Sequence, residues 1–89
     1  MLLFSINAVS KTDQGEFKAG EEVPFIVYID FADMFGAEYL AKLYVMREGF
    51  TDVNIIKRRK IAIDKALSQD PQVKQALEKG YCLQAFSAH

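Results

Sequence analysis

At 89 residues, with 51% hydrophobic and 26% charged side chains, the chain has room for one core and not two, so residues 1–89 are read as a single α+β domain; the same balance excludes intrinsic disorder. Eleven basic residues against twelve acidic ones leave a formal charge of −1, which excludes a whole-molecule field drawing the protein to nucleic acid or an anionic membrane. Cys82 is the single cysteine, which excludes an internal disulfide framework and a cysteine-rich zinc site.

The first element follows from a period of two. Leu2, Phe4, Ile6 and Ala8 alternate with Leu3, Ser5, Asn7 and Val9, which predicts a strand with one strongly apolar face, ending near Ser10. Between Lys11 and Glu22 the turn-forming clusters Asp13-Gln14-Gly15 and Ala19-Gly20 surround an isolated Phe17, the pattern of a long reversal. Val23 to Phe31 then alternates again, with Val23, Phe25, Val27, Ile29 and Phe31 on one face, and its β-branched and aromatic content predicts a second strand.

From Asp33 to Glu48 the spacing turns helical, with Asp30 or Asp33 placed to cap the start. Gly49 followed by Phe50 supplies a left-handed stop. Thr51 to about Ile63 reads as a third strand that includes the run Lys57-Arg58-Arg59-Lys60. A turn of helix is expected near residues 64–69. Asp70-Pro71 is a cap followed by a proline that needs no amide hydrogen, so a second helix should run from Pro71 to Lys79 and stop at Gly80. Tyr81 to Ala88 completes the order β-β-α-β-α-β.

Two consecutive β-α-β connections, each right-handed, would put both helices on one face of a mixed sheet of about four strands. The expected fold is therefore a two-layer sandwich of ferredoxin-like character, with a different order of elements. No apolar stretch approaches the roughly 20 residues that cross a bilayer, and Met1 to Phe4 is too short for a secretion leader. A cytoplasmic setting is expected, without membrane, metal or cofactor.

No phosphate loop, metal-ligand spacing or catalytic dyad stands out, so no catalytic residue is assigned. Asp30, Asp33 and Glu38 sit where helix caps belong; Cys82 reads as a small packed hydrophobe and His89 as a solvated terminal histidine. Surplus apolar residues are more informative. With helices on one face, Leu3, Ile26, Tyr28 and Ile56, with Phe86, would look out from the other, and the first helix is apolar nearly all round. Those residues point to a non-enzymatic protein-interaction domain, a homodimer or the partner of another protein, docking through the uncovered sheet face or the first helix. Two alternatives stand beside it. Lys57, Arg58, Arg59 and Lys60 with Tyr28 would suit a nucleic-acid-binding module, and a pocket lined by Tyr39, Tyr44 and Phe25 between sheet and first helix would suit a small ligand or an enzyme.

Overall fold

A computed structural model describes residues 1–87 of the chain. Strand β1, Leu2–Ser10, buries every even-numbered side chain. Strand β2, Glu22–Ile29, pairs with it antiparallel so that Phe4 lies opposite Val27 and Ile6 opposite Phe25. Directly opposed residues share a face, and the two apolar series merge into one wall, each large side chain contributing about 1.5–3 kcal/mol by burial.

Helix α1, Met34–Arg47, lies on that wall through Ala37, Ala41 and Val45. Asp33 is its cap, accepting from the Gly36 N–H at 2.9 Å, while Asp30 lies outside the helix. The chain leaves α1 at Gly49 with φ +92 and enters β3, Phe50–Lys60. A 3-10 turn, Leu67–Gln69, then leads to α2, Pro71–Lys79, whose Asp70 cap accepts from the amides of Gln72 and Val73. Gly80, φ +93, ends α2 before β4, Tyr81–Ala85. Element order, four strands, two helices and both glycine stops are as expected from the sequence.

Three features differ. Strand β2 stops at Ile29, β3 at Lys60 and β4 at Ala85, each short of its expected end; Ala88 and His89 lie outside the described residues. The sheet, in the order β3-β1-β2-β4, is antiparallel throughout and not mixed. Lastly, the helices occupy opposite faces. Tyr81 and Leu83 of β4 belong with the α1 core, whereas Val73 of α2 faces a cleft with Leu3 and Tyr28, side chains of the other face. The reason lies in strand direction. β2 and β3 run parallel to one another on either side of β1, so α1 is a true crossover, but β3 and β4 run oppositely, and the handedness rule for parallel strands does not govern α2.

The long reversal closes with a small bridge between Gln14 and Phe17. Gln14 ties it to the end of α1, donating through Nε2 to Ser10 Oγ at 3.0 Å and to the Gly49 carbonyl at 3.2 Å. Ser10, buried at the end of β1, donates in turn to the Thr12 carbonyl at 2.7 Å. Among the described residues no buried side-chain nitrogen or oxygen lacks a partner.

Candidate functional site

Because α2 covers the second face of the sheet at one end, Leu3 and Tyr28 are partly covered, while Ile56 and Phe86 stay 59% and 41% exposed. Leu3 and Tyr28 line a cleft of about 210 Å³ with Leu67, Asp70, Val73 and Arg59. Tyr28 sits opposite Cys82 in the β2–β4 ladder, and both acids are pushed above their ordinary pKa, first by burial and next by the Asp70 carboxylate. Cys82 is buried, and its thiol stays protonated at neutral pH, which is the state of a packed cysteine and not of a nucleophile. Ile26, half-buried, has Ser5 and Gln84 as ladder neighbours. Polar residues therefore break the apolar cluster that the sequence pattern implied.

Strand β3 is an edge strand, and its register slips twice against β1. One slip falls between the pairs Ser5–Lys57 and Ile6–Ile55 and leaves Ile56 as the extra residue of a bulge, 59% exposed. The other lies beside Asp52, a non-glycine residue with φ 50. Lys57, Arg58, Arg59 and Lys60 are all exposed. Arg58 lies opposite Phe4 on the α1 face and forms an ion pair with Glu38 of α1, while Arg59 lies opposite Leu3 on the α2 face. The four charges are thus split between faces. Charges along an open strand edge disfavour pairing with other strands, and Tyr28, half-buried, shares the cleft beside α2 with Arg59 alone of the four.

The third expected grouping, Tyr39 and Tyr44 with Phe25, is dispersed. Phe25 is buried edge-on to Phe50, with ring centroids 4.9 Å apart. Tyr44 stacks on Tyr81 of β4 at 4.0 Å, with the Arg47 guanidinium over the Tyr44 ring at 5.9 Å from its centroid. This stack fastens α1 to the β4 edge, and sequence spacing carried no signal for it because its partners lie on elements that meet only in the tertiary fold. The neighbouring cleft of about 340 Å³ is lined by Gln14, Phe17, Glu48, Phe50 and Leu83. It holds one carboxylate and one amide, and that amide is already bonded to Ser10 and Gly49. Among the described residues, no group of three or more His, Cys, Asp or Glu is placed to hold a metal ion. No described helix is long and apolar enough to cross a membrane.

Besides Ile56, Leu77 and Phe86, the exposed large apolar side chains lie on the outer face of α1 and at its start. Phe35 is 81% exposed, Tyr39 69% and Met46 45%. At about 100° per residue these three fall within one narrow stripe, turned by roughly 100° to 180° from the buried Val45, Ala41 and Ala37. Phe31, 48% exposed, extends the patch at the start of the helix, with its ring against Gly36. Comparison with family models, with curated proteins and with solved structures finds no match to this chain.

Proposed function

We propose that this chain is a non-enzymatic protein-interaction domain that self-associates through the outer face of α1. The observation that carries the reading is the stripe of Phe35, Tyr39 and Met46. A soluble protein leaves single apolar side chains in water without consequence, but an aligned series on one helix is the form of a docking face. Nothing inside the monomer requires large residues there. The packing of α1 on the sheet is carried by Ala37, Ala41 and Val45 with Met34, Leu40 and Tyr44 at its margins, and Phe35, Tyr39 and Met46 lie outside that set, so they contribute only once another surface meets them.

A helix of 14 residues is about 21 Å long. Its outer face covers less than the roughly 800 Å² per partner of an ordinary stable interface, so association in the micromolar range is expected. Sedimentation equilibrium or light scattering should show the mass rising from monomer to dimer between about 5 and 500 μM, in keeping with a weak interface of this size. Phe35→Glu should abolish that rise and leave the circular dichroism spectrum unchanged. A native protein that stays monomeric throughout, or a variant that dimerises as well as the native chain, would remove this reading.

A further inference from the structure

Resting on that reading, the geometry points to a second copy of the chain docked antiparallel, helix on helix, about a two-fold axis that passes between the two α1 helices, level with the midpoint of Leu40 and Ala41. The stripe is asymmetric, with an aromatic ring at its start and a thioether at its end. A parallel pair would set Phe35 against Phe35. An antiparallel pair about this axis sets Phe35 of each copy against Met46 of the other, and Tyr39 against Lys42. Sulfur meets an aromatic ring and an ammonium meets a phenol face, both favourable contacts.

Charge points the same way. The two-fold brings the same flank of each helix together, and that flank carries Glu38 and Lys42 one turn apart. Antiparallel docking therefore lays Lys42 beside the other copy's Glu38, whereas a parallel pair would carry the two flanks to opposite sides of the contact and bring no Lys42 to a Glu38. Glu38 is held in place by Arg58 of its own chain, so its carboxylate is presented in a fixed position at low entropic cost on binding. A closed two-fold contact also uses the same patch on both copies, which ends growth at the dimer.

The test uses charge reversal in the whole chain. Phe35 and Met46 are exposed in the monomer, so Phe35→Glu and Met46→Lys should each leave the fold intact, checked by circular dichroism and thermal melting. Each alone should weaken dimerisation by about 30-fold or more, the size expected when a central contact is lost. The double variant Phe35→Glu/Met46→Lys should recover at least about tenfold of that, because antiparallel docking sets each introduced carboxylate against an introduced ammonium. A double variant no better than the single ones would overturn the antiparallel register and leave docking through α1 standing. Single variants that dimerise like the native chain would overturn α1 as the surface, and a native chain monomeric at about 500 μM, well above a micromolar dissociation constant, would overturn the second copy as occupant.

Discussion

The two helices divide their work differently. In α2 the buried positions are Val73 and Ala76, and the remaining surface is mostly polar, with Gln72, Lys74, Gln75, Glu78 and Lys79. In α1 the sizes are inverted, for alanines lie within and Phe35, Tyr39 and Met46 lie without. Small inner residues let α1 sit close on a sheet that supplies the bulk itself through Phe4, Ile6, Phe25 and Ile29. The lesson is that small residues at the centre of a helix's inner face, with Met34, Leu40 and Tyr44 at its margins, are enough to seat it in its own domain, and that Phe35, Tyr39 and Met46 are not needed for that packing. In α2 a single large apolar side chain, Leu77 at 43%, is left exposed, and the helix closes one end of the second face.

The sharpest way to break this contrast is to remove the same residue type from either side of α1. Phe4, fully buried beneath the helix, should cost about 3–5 kcal/mol on changing to Ala, through lost transfer energy and the cavity left behind. Phe35→Ala, on the exposed stripe, should change monomer stability by no more than about 0.5 kcal/mol. Urea unfolding at a concentration well below dimerisation reads both. If Phe35→Ala costs as much as a core truncation, the outer stripe belongs to the monomer's packing and the division drawn between the helices is mistaken.

A smaller effect separates the two helix ends. Gly49 and Gly80 have nearly the same positive φ, +92 and +93, so an added Cβ is strained at both by about 1–2 kcal/mol. Around Gly80 the space is open, whereas at Gly49 the new atom would lie 3.1 Å from Gln14 Nε2, the group that donates to Ser10 and to the Gly49 carbonyl. Gly49→Ala should therefore be more destabilising than Gly80→Ala, and Gln14→Ala should narrow the gap. Equal costs would mean that the Gln14 tie contributes nothing to holding the hairpin on the end of α1.

Local chemistry was legible in the sequence to the extent that it was local. The period-two runs of β1 and β2, the Asp70-Pro71 start, and the glycine stops each depend on neighbours in the chain, and each forms where the pattern placed it. The direction of β4 was not legible, because it depends on which edge of the sheet α2 leads to, and the placement of α2 follows from that direction. That one choice decided the fate of Leu3 and Tyr28, which pass from an open face to a cleft beside a helix. Ile56 lies in a strand and is exposed, as the pattern predicts, but the bulge that holds it there is revealed only by the pairing with β1. The apolar character of α1 on all sides, by contrast, was visible in its composition, and the outer stripe is where it leads.

The smallest effect is an alkaline one, and it probes the α2 side of the contrast. Tyr28 and Cys82 face each other across the β2–β4 ladder, and burial raises the pKa of both, with the Asp70 carboxylate adding to the shift. Each group is neutral when protonated, so the folded state holds its proton more tightly than the unfolded chain does. As pH rises past the ordinary thiol value of about 8.5, the unfolded state releases its proton first, and stability that was fully present below that pH begins to fall. A second stage should follow above about 10, where an unfolded tyrosine ionises. Cys82→Ala should remove the first stage and Tyr28→Phe the second, as read by urea midpoints at successive pH values. Thiol labelling offers an independent reading, since Cys82 should react slowly in the native protein and quickly once unfolded. Stability that holds level through pH 9, together with rapid native labelling, would show that α2 does not seal this face, and the polar helix would then be the one with a surface to spare.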